Sequence, residues 1–229
     1  MTTPGSPERA RLTARCLLQI EALLFRPENP FTFTSGRVSP VYVDCRKIIS
    51  FPRARKALMA MAVDQVGEAC GFEGFDVIAG GETAGIPFAA WMAERMGLPM
   101  AYVRKKPKGF GRNARIEGVI APSDRVLLVE DLATDGGSKL GFVEALREAG
   151  AEAEHSFVIF HYGIFPEGIQ RLSEAGVALH ALATWWDALA AAEDLGHLDQ
   201  KGLAAVKTFL EDPNGWSKAH GGKTSTDLT

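Results

Sequence analysis

The sequence predicts an α/β fold, a mostly parallel sheet flanked by helices with a small N-terminal helix and hairpin ahead of it. Three observations carry that prediction. Apolar runs too short for helices recur at residues 75–79, 99–103, 126–129, 156–160 and 177–182, as strands buried on both faces of a sheet do. Helical stretches alternate with them, the pattern that builds parallel sheets with right-handed crossovers. The runs at 75–79 and 126–129 lead through glycine-bearing turns into helices, and ligands of such sheets bind at those carboxyl ends.

Residues 1–5 read as unstructured. Ser6, Pro7 and Glu8 give a helix start, and Leu12, Cys16, Ile20, Leu23 and Leu24 follow at helical spacing toward an end near Pro27. Residues 31–33 (FTF) and 41–44 (VYVD) are separated by Ser-Gly-Arg and Ser-Pro turn signals and predict a small hairpin. A helix over 52–69 carries Ala57, Leu58, Met61, Val63 and Val66 toward the sheet. The strand at 75–79 ends in Gly80, Gly81, Glu82 and Thr83 and feeds a helix containing 86–96. A strand at 99–103 precedes a long irregular loop over 104–117, then the strand at 126–131 and its helix. Strands at 156–160 and 177–182 follow, and helices at 185–195 and 199–211 close the fold. The expected layout is 1–50 as N-terminal helix and hairpin, 51–211 as the α/β core with its C-terminal helices, and 212–229 as a mobile tail. One structural domain holds all three.

Composition narrows the function. At 229 residues, with 46% hydrophobic and 23% charged content, the chain matches an ordinary soluble globular protein with room for one sizeable core. A net charge of −3 argues against a general nucleic-acid coat protein. Cys16, Cys45 and Cys70 are odd in number and far apart, without zinc spacing or a disulfide framework, which fits a reducing compartment. No apolar run nears membrane-spanning length, and the start MTTPGSPERA lacks a signal peptide's hydrophobic segment. A cytoplasmic protein without a membrane partner is expected. His155, His180, His197 and His220 show no pairing that suggests a metal or a triad and read as core or surface residues. Trp185 and Trp186 read as packing or dimer-interface residues.

Residues 126–138, VLLVEDLATDGGS, concentrate the chemistry. An apolar strand delivers Glu130 and Asp131 to its end, and the small residues that follow open a helix. Such a turn offers backbone N–H groups and a positive dipole end to an anion, and the acids accept hydrogen bonds from hydroxyls near it. A ribose-phosphate site is the reading that joins the two. It is neither a Walker loop nor a G-x-G-x-x-G fingerprint. Between two core strands, the segment RKKPKGFGRNAR from Arg104 to Arg115 holds six cationic side chains in twelve residues and no acid. A solvated surface loop and a nucleic-acid patch are two readings of it. A third is a basic lid hinged at Gly109 and Gly111 that neutralises charge on a departing diphosphate.

The order apolar strand, Glu-Asp, two apolar or small residues, Thr, then a glycine pair and Ser resembles the phosphoribosyl-diphosphate (PRPP) motif of the type I phosphoribosyltransferases. That resemblance implies that Glu130 and Asp131 contact the ribose hydroxyls. It also implies that Leu132, Ala133, Thr134, Asp135, Gly136, Gly137 and Ser138 wrap the 5′-phosphate. Asp135 stands where the family more often has a neutral small residue. RKKPKGFG resembles the mobile catalytic loop of the orotate phosphoribosyltransferases, which reaches into the partner subunit's site. Arg104, Lys105 and Lys108 would then bind diphosphate, Lys108 would stabilise the departing group, and the protein would be a homodimer sharing its 104–115 loop. Phe110 replaces the family's common histidine and leaves no proton-transfer role there.

SGRVSPVYVDCRK (35–47) resembles the same family's hood over the base, which implies orotate contacts from Tyr42, Thr34 and Thr134. Thr34 stands where a lysine is frequent. GGETAGIP (80–87) resembles the diphosphate loop, which places Thr83 and Ala84 at PRPP, although an aromatic and a lysine are frequent at those positions. An arginine that often follows the 156–160 strand and holds the orotate carboxylate is replaced by His161 and Tyr162, with Arg37 or Arg46 as substitute charges. The four segments lie in family order. They imply transfer of ribose 5-phosphate from PRPP to orotate, giving orotidine 5′-monophosphate and diphosphate in pyrimidine biosynthesis. Lys108, Glu130 and Asp131 are the implied catalytic residues, and Mg²⁺ is carried by PRPP without direct protein ligands. A transferase for another base, and a PRPP sensor that binds nucleic acid through the basic loop, are the rival readings.

Overall fold

A computed structural model of the chain describes residues 2–4, 6–108, 115–134 and 137–224, side chains of 2–4 and of Ser138 excepted. The N-terminal part comprises β1 (Thr2–Pro4), α1 (Pro7–Gln19) and four short strands: β2 (Leu23–Phe25), β3 (Phe31–Thr32), β4 (Val38–Ser39) and β5 (Val41–Val43). A 3-10 turn over Cys45–Ser50 leads to α2 (Pro52–Cys70), β6 (Val77–Gly81), α3 (Gly85–Met96), β7 (Met100–Val103) and β8 (Ile116–Glu117). Then come β9 (Arg125–Ala133), α4 (Gly137–Glu148), β10 (Glu152–His161), α5 (Pro166–Glu174) and β11 (Ala178–Thr184). The chain closes with α6 (Trp185–Asp194), α7 (Gln200–Glu211) and α8 (Pro213–Ala219).

Among the described residues the main sheet has seven strands in the order β1-β11-β10-β9-β6-β7-β8. Every neighbouring pair is parallel except β7 with β8. Alternate residues of the central strands serve opposite faces. Leu127, Val129, Phe157 and Ile159 join the core on the side of α1, α2, α3 and α6. Val126, Leu128 and Val158 join Phe142, Val143 and Leu146 of α4 and Leu172 of α5. Both faces are covered, so these strands read as continuous apolar runs rather than alternating ones. Each large side chain buried there contributes about 1.5–3 kcal/mol.

Five local expectations are corrected. The first helix begins as expected, with Pro7 in its first turn and Ser6 Oγ accepting from Arg9 N–H at 3.3 Å, but it stops at Gln19 instead of near Pro27. Glu21 takes φ +53°, and Leu23–Phe25 pairs antiparallel with Val41–Val43. Residues 31–33 and 41–44 do not pair with each other. β3 pairs with β4, and Ser39 and Pro40 then redirect the chain. Pro40 has no N–H to continue a ladder, and Ser39 Oγ bridges to the Val41 carbonyl at 2.7 Å and accepts from its N–H at 3.2 Å. Residues 2–4, expected to be unstructured, pair in parallel with 179–181.

The expected mobile tail instead begins with α8. Asp212 caps it by accepting from Gly215 N–H at 2.8 Å, and Trp216 packs edge-on to Phe209 with ring centroids 5.5 Å apart. Ser217 Oγ accepts from Val38 N–H at 3.0 Å, which ties this helix to the N-terminal strands. His155 and His180, read from sequence as unpaired, lie 3.0 Å apart between Nδ1 and Nε2, with Cys70 beside both. No described helix is long and apolar enough to cross a membrane.

Candidate active site

From β6 the chain crosses to β7 on one side, then returns to place β9 on the other side of β6. Connections therefore leave the carboxyl ends of β6 and β9 in opposite directions and open a crevice between them, the usual ligand position in such sheets. A cleft of about 640 Å³ lies there. The turn after β6 lines it with Glu82, Thr83 and Ala84, and the end of β9 with Glu130, Asp131, Leu132 and Thr134. Arg46 and Lys105 stand at its edges and Lys139 at its base.

Backbone approach explains the glycines around it. A Cβ on Gly81 would lie 2.6 Å from Glu130 Oε1, and one on Gly85 would strike the Val129 carbonyl. Small residues thus let the β6 turn and the first turn of α3 press against β9. The N-terminus of the twelve-residue α3 is directed into this turn, supplying amide groups and a positive dipole end to an anion. The Glu82–Thr83 peptide is cis.

β9 extends further than its apolar run, so Glu130 and Asp131 lie within its last residues instead of beyond it. The two acids have different surroundings. Glu130 is buried, and its Oε2 accepts from Lys139 Nζ at 2.8 Å. Lys139 Nζ also donates to the Leu132 carbonyl at 2.7 Å and is itself almost wholly buried. Asp131 is half-buried in the cleft. Burial, and then the neighbouring Glu130 charge, raise its pKa, while Lys139 opposes the rise. Glu130 is thus held by its lysine, and Asp131 is the more exposed of the two acids in the cleft.

Lys139 was not singled out from sequence, although a signal exists. Lys139, Phe142, Val143 and Leu146 stand at i, i+3, i+4 and i+7, which puts a lysine on the apolar face of its helix. A charge there requires a buried partner.

The other expected residues divide. Thr83, Ala84, Lys105, Leu132 and Thr134 line the cleft, and Lys105 N–H donates to Glu82 Oε2 at 2.7 Å, which seats the start of the basic segment over it. Arg104 is held elsewhere. Its guanidinium donates to Glu117 at 3.3 Å, and its carbonyl accepts from Arg115 Nε at 3.0 Å. Lys108 is exposed and is not among the lining residues. Gly109, Phe110 and Gly111 lie outside the described residues, as do Asp135, Gly136 and the Ser138 side chain, and Ala133 is buried in β9.

The orotate-side expectations fare less well. Tyr42 packs on Phe31 and Phe33, with centroids at 5.5 and 6.1 Å, and Thr34 is exposed in a turn. Neither lines the cleft. Of the two substitute arginines, Arg37 lies over the Phe165 ring and donates to Asn214. Arg46 lines the cleft and pairs with Asp44 at 2.7 Å. Tyr162 is buried edge-on against Trp185, itself fully buried as packing, whereas Trp186 is exposed.

His161, at the carboxyl end of β10, is buried, and that burial with Lys139 nearby lowers its pKa to about 4. The unfolded chain takes up a proton near about 6.5 that the folded chain refuses until about 4. This contribution to stability is therefore present above about 6.5 and is lost as pH falls toward 4. Urea unfolding between pH 7 and 4 is expected to show a steeper loss for the wild type than for His161→Gln. Parallel curves would show that His161 is not held neutral.

A mostly parallel sheet with a cleft at the β6/β9 switch, bordered by a glycine-bearing turn and an acid pair, is the layout of a phosphoribosyltransferase. The family model of the phosphoribosyl transferase domain matches residues 48–164. An orotate phosphoribosyltransferase of Cereibacter sphaeroides is 64% identical over 217 residues, covering 94% of this chain and 93% of that protein. One from Roseobacter denitrificans is 59% identical, covering 95% and 96%. The crystal structure of orotate phosphoribosyltransferase from Aeropyrum pernix superposes with a TM-score of 0.68 at 29% identity, covering 81% of this chain and 99% of that one. The chain belongs to the orotate phosphoribosyltransferase family.

Proposed function

We propose that this cleft transfers ribose 5-phosphate from PRPP to orotate, releasing diphosphate and orotidine 5′-monophosphate, as a cytoplasmic step of pyrimidine biosynthesis. The observation that carries the reading is the meeting of Asp131 and Thr134 with the Thr83–Ala84 turn and Lys105 around one cleft. Diphosphate would lie against the Thr83 and Ala84 turn and Lys105. The ribose hydroxyls would donate to Asp131, and the 5′-phosphate would take the start of α4. A bond forms between the ring nitrogen of orotate, already ionised by loss of its proton to solvent, and the anomeric carbon as the bond to diphosphate oxygen breaks. Positive charge grows on the ribose and negative charge on the leaving group, and Asp131 and Lys105 face those two centres.

Magnesium fits this donor set. Among the described residues the cleft carries oxygen donors from Asp131, Glu82 and Thr134, which suits an ion that keeps waters and substrate phosphates as its main ligands. When bound with PRPP it would supply charge neutralisation on the diphosphate. Arg46 is the cation best placed for the orotate carboxylate.

Diphosphate release should be measured with PRPP, Mg²⁺ and a panel of orotate, adenine, hypoxanthine and uracil. Orotate alone is expected to support turnover, and preferred use of a purine would overturn the reading. Lys108 is assigned to the leaving diphosphate of the partner subunit in a homodimer. Lys108→Ala should then lower kcat much more than it weakens PRPP binding, because its contact strengthens as charge develops. Mixed with Asp131→Asn protein, it should recover activity in hybrid dimers. Inactive hybrids would confine the loop to its own subunit's site.

A further inference from the structure

At the end of the sheet away from the cleft, three metal-ligating groups from three elements converge. Cys70 is the last residue of α2, His155 lies near the start of β10, and His180 near the start of β11. Cys70 Sγ is 3.6 Å from His155 Nδ1 and 3.7 Å from His180 Nε2, and those two nitrogens are 3.0 Å apart. A tetrahedral zinc ion with Zn–N of about 2.0–2.1 Å and Zn–S of about 2.3 Å has N···N edges of about 3.3 Å and N···S edges of about 3.6 Å. The observed triangle is within about 0.3 Å of that on every side.

We propose that Cys70, His155 and His180 form a binding site for one zinc-like divalent transition-metal ion, with solvent in the fourth position. A thiolate with two imidazoles selects a borderline-soft ion over magnesium or calcium. His180 is buried, and burial and then the adjacent His155 lower its pKa to about 4, so it is a neutral ligand at physiological pH. Cys70 is half-buried and its pKa is raised by that burial, so metal binding displaces the thiol proton to solvent. Phe75 sits edge-on to His155, 5.5 Å between centroids, and fixes its ring plane.

Six residue steps of β10 run from His155 to His161 at the carboxyl end of the strand, about 20 Å at strand rise. The ion therefore takes no part in phosphoribosyl transfer. It joins the end of α2 to two neighbouring strands and stabilises their packing. Sequence spacing hides the site, since its ligands are 85 and 25 residues apart and come together only in the folded sheet.

The test uses tag-free, chelator-stripped protein titrated with Co²⁺. One equivalent per chain is expected to give tetrahedral visible bands and a thiolate-to-cobalt charge-transfer band, both removed by Zn²⁺. Cys70→Ser should abolish the charge-transfer band. His155→Gln should weaken binding by at least the roughly 10–100-fold that losing an outer partner of a metal site costs. Zn²⁺ should raise the thermal midpoint of the wild type and not that of Cys70→Ser. Absence of Co²⁺ binding to the wild type, or a charge-transfer band that survives in Cys70→Ser, would overturn the assignment.

Discussion

Asp131→Asn is expected to reduce orotate turnover by about 10²–10³-fold, the scale for losing one preorganised electrostatic contact to a transition state, without weakening the fold. The amide keeps the shape of the side chain and one acceptor oxygen, but not the charge that faces the developing positive ribose. Stability should be unchanged or higher near neutral pH. Burial, and then Glu130, raise the Asp131 pKa above its ordinary value, so its contribution to stability is full at low pH and is lost as pH rises through the raised value. A neutral amide avoids that loss. Orotate absorbance reports the activity and urea unfolding the stability. A variant that loses both in proportion would make Asp131 a structural residue.

Lys139→Met should have the largest effect on stability, about 3–5 kcal/mol, the range for stranding one member of a buried ion pair. The lysine is almost wholly buried between Glu130 and the Leu132 carbonyl, so its loss leaves a carboxylate and a carbonyl without a donor. Glu130→Gln combined with Lys139→Met should recover a substantial part, because the charge left behind is then removed as well. Urea midpoints of the two single variants and the double variant measure the coupling. Simple additivity would show that the pair contributes nothing as a pair.

The sheet was legible in the sequence because strands covered on both faces must be apolar throughout, and runs such as 126–129 and 156–160 have no other use. The N-terminal part was less legible. Leu23 fits the helical spacing of α1, yet it pairs with Val43 in a ribbon, and only tertiary contacts choose between those outcomes. Pro213 and Asp212 are helix-start residues, but in a tail rich in Gly, Ser and Thr that signal was outweighed. In the site, the residues carried by local order, Asp131, Thr134 and Thr83, were found. Lys139 required helical phase to be read along α4, where it shares a face with Phe142, Val143 and Leu146. The Cys70, His155 and His180 cluster joins residues remote in sequence, which no local pattern could bring together.

A crystal structure with PRPP and Mg²⁺ bound tests the central claim most directly. Diphosphate is expected beside Thr83, Ala84 and Lys105, with the ribose hydroxyls on Asp131 and Glu130 still paired to Lys139. A second groove of about 530 Å³ between α2 and α3 carries Arg55, Lys56 and Arg95 and is also suited to an anion. PRPP bound in that groove, with the cleft at the β6/β9 switch left without ligand, would contradict the account.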